Sequence, residues 1–125
     1  MFVKVILLIL SGALGTLSRY FLSHGISKIV GVQFPYGTFI VNILGCFIMG
    51  LCLALFEKKF LLDSNTRLFL TVGFCGAFTT FSTFIYESSA LMNEGQFISA
   101  LVNIVLSVVL GFLFLRAGFI LGNIV

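Results

Sequence analysis

Residues 73–84 read GFCGAFTTFSTF and stand inside a mainly apolar run from Leu68 to Leu91. Two glycines, three threonines and a serine within twelve residues are poor material for a helix interior. Glycine gives up the most backbone freedom on ordering, and threonine and serine offer the backbone competing side-chain hydrogen bonds. A helix through this segment is therefore expected to break near Gly76 to Thr80. A break frees carbonyl groups, and whether that is tolerated depends on what surrounds it.

Composition sets those surroundings. The chain has 125 residues, of which 60% are hydrophobic and 9% charged, with a mean hydropathy of +1.24. That leaves too little polar surface to cover a water-soluble globule, so the reading is an all-α integral membrane protein. A spanning helix needs about 20 mostly apolar residues. Four runs qualify, at approximately residues 5–22, 39–56, 68–91 and 97–121, and together they make residues 1–125 a single four-helix transmembrane domain. The connections are read from Ser23-His24-Gly25 to Gly37, from Glu57 to Arg67, and from Asn93 to Gln96. Lys4 before an apolar run resembles a secretion signal, but cleavage near Ser11-Gly12-Ala13 would leave the remainder too short to cross, so retention as a first span is expected.

The net charge of +3 is read as lysines and arginines meeting lipid headgroups, Lys58, Lys59 and Arg67 among them. No basic cluster with interleaved aromatics points to nucleic acid. Catalysis has equally little to stand on. The four acidic residues and single histidine form no motif with a nucleophile, so an enzyme is not expected. His24 is read as an interfacial residue in a connection. Cys46, Cys52 and Cys75 match no zinc spacing and are read as small buried hydrophobes.

Four helices make a thin bundle with scant interior for polar side chains, and oligomerisation relieves this. Small residues four apart, Gly12 with Thr16, Gly73 with Ala77 and Ser107 with Gly111, permit close helix contact, and Gly15, Gly45 and Gly50 add notches. Polar residues within spans tend to face partners or water-filled paths: Asn42 in the second span, Thr71, Thr79, Thr80, Ser82 and Thr83 in the third, and Asn103 with Ser107 on one face of the fourth. Phe81 and Phe84, three apart, share a face with adjoining hydroxyls.

At this point the chain resembles the Fluc/CrcB fluoride channel family along almost its whole length. GALGTLSRY (residues 12–20) is similar to the family's GxxGxxxRY, GTFIVNILGCFIMG (37–50) to its GTxxVNxxGxFxxG, and the opening stretch to its GFCGxxTTFSTF, followed by Glu87. The resemblance implies an antiparallel, dual-topology homodimer of four-helix subunits with two narrow anion pathways. It also implies a structural sodium ion held by carbonyls of the broken third helix at Gly76 and Thr79. Asn42 would donate toward the anion path, Phe81 and Phe84 would line it with ring edges, and Thr80, Ser82, Thr83 and Ser107 would supply hydroxyls. Arg19 and Thr38 would lie at or brace a vestibule, Glu87 would sit at a pore mouth or cap a polar network, and Asn103 would support the path. The fourth span departs from the pattern: where the family commonly has a tyrosine followed by serines, this chain has Asn103, Ser107 and Gly111.

The chemistry agrees with the resemblance. A pore for a small, strongly hydrated anion must replace its water with close donors, and binding must stay weak enough to release it. Amide and hydroxyl hydrogens and positive phenylalanine edges do this without a trapping full charge. The expected function is passive fluoride exit across a bacterial inner membrane. Orientation is less balanced: Lys4, Lys58, Lys59, Arg67 and Arg116 fall on one side and Lys28 and Arg19 on the other, a bias that by itself places the amino terminus in the cytoplasm. A homodimer or pairing with an oppositely oriented homologue answers this, with the homodimer preferred. Two other classes compete. A small multidrug-type transporter needs a carboxylate that the first span lacks, and a non-conducting scaffold subunit leaves the ordered polar cluster without a purpose.

Overall fold

The computed structural model describes residues 1–58 and 63–125. Among them every regular element is helical: α1 (Phe2–Val30), α2 (Tyr36–Lys58), α3 (Ser64–Leu68), a π-helical segment (Phe69–Cys75), α4 (Gly76–Phe78), α5 (Phe81–Asn93) and α6 (Phe97–Ile124). Four stretches are long and apolar enough to cross a membrane: α1, α2, the composite Ser64–Asn93 and α6. At 1.5 Å per residue, the 29 residues of α1 reach about 44 Å, more than the hydrocarbon thickness. Lys59, read as a headgroup contact, lies outside the described residues, whereas Lys58 and Arg67 are exposed.

The helices outrun the expected spans, most of all at the end of α1. Ser23 to Val30, read as part of a connection, is helical, so His24 stands on a helix. Serine, histidine and glycine lower hydropathy without forbidding helix, and the stop comes only at Gly31. Its φ of 97° is open to glycine, and its N–H closes the last turn onto the Ser27 carbonyl at 3.0 Å. Gly95, at φ 78°, similarly turns the chain between α5 and α6. The third stretch begins with Asp63, whose carboxylate accepts from the Thr66 hydroxyl at 2.6 Å and the Thr66 N–H at 3.0 Å. Those bonds, the hydroxyl's first, hold its carboxyl below the ordinary range.

Glycine decides how closely the helices approach. The largest helix interface joins α2 to α6, where a Cβ at Gly50 would collide with the Leu115 carbonyl and one at Gly118 with the Phe47 carbonyl. One at Gly122 would lie 2.7 Å from the Ala54 Cβ. Without side chains in the way the two backbones pack directly, which raises dispersion contact where lipid offers no hydrophobic drive. On the other flank α1 meets the π-helical segment, with Gly15 against the Phe74 carbonyl and Gly73 against the hydroxyl of the fully buried Ser11. Gly12 departs from expectation: a Cβ there would meet nothing within 4 Å. The outward faces are apolar, as at Leu10, Leu14 and Leu17 of α1 and Leu101, Val105 and Phe112 of α6.

Candidate functional site: the helix break and its grooves

The helix ends at Phe78, and the next two residues are extended, Thr79 at φ −85°, ψ 158° and Thr80 at φ −149°, ψ 120°. The Thr79 N–H and hydroxyl both donate to the Cys75 carbonyl, at 3.0 and 2.9 Å. Thr80 then turns to α2. Its N–H donates to Asn42 Oδ1 at 2.8 Å, and its carbonyl accepts from Asn42 Nδ2 at 3.0 Å. One carboxamide thus stands in for the helical partners that the break removes from Thr80. The Thr80 hydroxyl caps α5, accepting from the Thr83 N–H at 3.4 Å and donating to the Thr83 hydroxyl at 3.0 Å.

This arrangement says where the free carbonyls are. In a continuous helix the Gly76 carbonyl would accept from the Thr80 N–H and the Thr79 carbonyl from the Thr83 N–H. The first donor is taken by Asn42 and the second by the Thr80 hydroxyl. Gly76 is exposed and Thr79 half-buried, and both carbonyls have lost these helical donors.

A groove of about 250 Å³ runs past the break, lined by Asn42, Cys46, Thr79, Thr80, Phe81, Phe84, Ser107 and Val108. The rings of Phe81 and Phe84 are tilted at 51° with centroids 5.8 Å apart. Phe84 is 6% exposed and Phe81 is 75% exposed. Behind the groove a polar chain leads away from Ser107. Its hydroxyl donates to Asn103 Oδ1 at 3.4 Å, Asn103 Nδ2 donates to the Ser88 hydroxyl at 2.9 Å, and Ser88 donates to the Phe84 carbonyl at 2.8 Å. Asn103 and Ser88 are buried.

On the other side of the break a cavity of about 370 Å³ is lined by Thr38, Thr80 and Thr83 together with Arg19 and five further residues of one α1 stripe. The Thr38 hydroxyl donates to Glu87 Oε1 at 2.8 Å. Glu87 Oε2 is buried without a hydrogen-bond partner among the described residues, and Glu87 itself lines a third cavity of about 350 Å³ with Glu94, Gln33 and Tyr86. The Thr38–Glu87 bond therefore links the linings of two cavities, which also share Ser27.

Of the residues singled out from the sequence, Asn42, Thr79, Thr80, Phe81, Phe84 and Ser107 converge on one groove, and Arg19, Thr38 and Thr83 on the next cavity. Asn103 stands behind Ser107, Glu87 behind Thr38, and Gly76 on the α4 side of the break. Ser82 joins none of them; it is exposed on the first turn of α5. Sequence reasoning missed Ser88 and the groove-lining Cys46. Ser88 carried a signal, for Thr80, Phe84 and Ser88 recur every four residues along one face.

The family described as CrcB-like protein, Camphor Resistance (CrcB), matches residues 6–119. The chain is 46% identical over 116 residues, 93% of each chain, to a protein of Solidesulfovibrio magneticus named fluoride-specific ion channel FluC. Proteins of the same name from Desulforapulum autotrophicum and Nitrosococcus oceani are 43% identical over 122 residues (98% of each chain) and 39% over 125 (100% of each). The chain belongs to the CrcB family.

Proposed function

We propose that the chain is the subunit of a passive, fluoride-selective channel that lets fluoride leave the cytoplasm across a bacterial inner membrane. The observation that carries this is the Asn42 clamp on Thr80 at the base of a groove lined by Phe81, Phe84 and Ser107. The groove carries an Asn42 amide, phenylalanine ring edges and no full charge, with hydroxyls that would turn from their present acceptors to meet an anion, a donor set suited to solvating a small anion while allowing its release. The negative interior potential drives an anion outward, by about 2.3 kcal/mol per charge per 100 mV.

The working unit is an antiparallel homodimer. In the single chain Phe81 is largely exposed and the groove lacks a wall on that side; lipid there would leave the anion beside hydrocarbon, whereas a second copy supplies the missing wall. A structural sodium ion fits the break. It is a hard cation suited to oxygen ligands, and the Gly76 and Thr79 carbonyls have lost their helical donors. The ion would offset the partial negative charge of these oxygens and fix the two breaks against each other.

Liposomes holding purified protein, with fluoride and chloride followed by ion-selective electrodes, test the reading. Rapid fluoride release with no chloride release is expected. Folded, reconstituted protein that passes neither anion would end it and bring forward the scaffold reading, and proton-coupled uptake of an organic cation would favour the transporter.

A further inference from the structure

The cavity beside the break is built chiefly by one stripe of α1: Thr16, Arg19, Tyr20, Ser23, His24 and Ser27. These positions recur at three- and four-residue intervals and so face one way. His24, the chain's only histidine, stacks parallel to Tyr20, with ring centroids 5.9 Å apart and planes 7° apart. His24 is exposed, and the stack holds its imidazole among the residues that line this cavity, one helical turn and a residue beyond Arg19. Hydroxyls complete the lining, with Thr38 from α2 and Thr80 and Thr83 from the break and α5.

The charged and titratable groups around the ring follow from the same lining. On α1 they are Arg19, Tyr20 and, one turn further, Lys28; α2 faces the cavity with Thr38 and no charge. From α5 the only carboxylate reached is Glu87, through its bond to the Thr38 hydroxyl, and it lines a different cavity. No carboxylate lines the cavity that holds His24. Protonation of the imidazole therefore adds a second cation to a space whose fixed charge is Arg19.

We propose that His24 is a proton-controlled anion recruiter: protonated, it raises the local anion concentration beside Arg19 and so speeds delivery to the Asn42 groove. The proposal rests on the channel reading. Histidine is the side chain that changes charge between about pH 5 and 8, and a cleft lined by one sign of charge concentrates counter-ions, an effect that salt screens. The channel then recruits fluoride best from whichever solution is acid at the mouth that holds His24. Tyr20 serves as the platform that holds the ring at the wall.

Two measurements on the reconstituted full chain test this. At low fluoride and low ionic strength, flux at about pH 5.5 is expected to exceed that at about pH 8 by about threefold. The ratio should fall to one in His24→Gln, at the lower rate, and in His24→Lys, at the higher rate, and it should vanish at saturating fluoride. Independently, the wild-type pH ratio is expected to shrink toward one as inert salt is added at fixed fluoride, because screening weakens recruitment by fixed charge. Flux with the same pH ratio in wild type and His24→Gln, or a wild-type pH ratio that added salt does not change, overturns the assignment and leaves the channel reading standing. No fluoride flux at either pH removes both.

Discussion

The seam between α2 and α6 and the seam between α2 and the broken third stretch share a helix but are built on opposite rules. Along the first, Gly50, Gly118 and Gly122 bring two unbroken helices into close contact at Phe47, Leu51, Ala54 and Leu115, all apolar residues. Along the second, the same α2 presents Asn42 and Thr38 to a partner whose backbone has lost its helical bonds and taken side-chain ones instead. Continuous helices satisfy their own backbone, so the first seam needs only shape. The second keeps unsatisfied polar groups at bilayer depth, which is tolerated because α2 supplies the pairing and two grooves supply polar space. On the channel reading proposed above, stability and conduction fall to different faces of one helix.

The largest effect expected is functional and breaks the second seam alone. Asn42→Leu leaves the Thr80 N–H and carbonyl without partners, and fluoride flux should fall about a hundredfold, the factor to which roughly 3 kcal/mol of lost pairing corresponds. A variant retaining most of its flux would show that Asn42 is packing rather than clamp.

Gly118→Ala attacks the first seam. Its Cβ meets the Phe47 carbonyl, and overpacking of this kind costs about 1–3 kcal/mol. The thermal midpoint in detergent should drop, with flux per folded channel preserved. Gly12→Ala, whose Cβ would meet open space, is the control and should change stability by less than about 0.5 kcal/mol. If the two variants behave alike, the distinction between close-packed and open glycines fails.

Phe81→Ala removes an exposed ring from the groove, and flux should fall about tenfold with the melting profile unchanged, since the ring contributes edges more than burial. Ser88→Ala cuts the relay between Asn103 and the Phe84 carbonyl. A loss of about 1–2 kcal/mol in denaturation is expected, because Asn103 is left buried with an unpaired donor.

The smallest effect lies outside both seams. The bonds from Thr66 lower the Asp63 carboxyl in the folded chain, so its capping contribution is fully present above the carboxylate's ordinary range and is lost as pH falls through the lowered value. The helical signal at the start of α3 should weaken on acidification in wild type and stay flat in Asp63→Asn, which caps without titrating.

The sequence by itself determined that the protein is helical and membrane-spanning, because about 20 apolar residues in a row, four times over, leave no other way to satisfy the backbone in lipid. It also located the break, because glycine and threonine weaken a helix wherever it packs. What it did not show was how far α1 runs, since hydropathy stops at Leu22 while helical geometry continues to Gly31, nor the π-helical segment over Phe69–Cys75, which local propensity does not specify. Gly12 and Gly118 are alike as letters, and only packing separates the one that faces open space from the one pressed on a carbonyl. The same holds for the polar residues. Span and spacing named Asn42 and Thr80, but that one carboxamide closes both backbone valences of Thr80 was decided by the tertiary structure, because a hydrogen bond between residues 38 apart depends on where two helices cross.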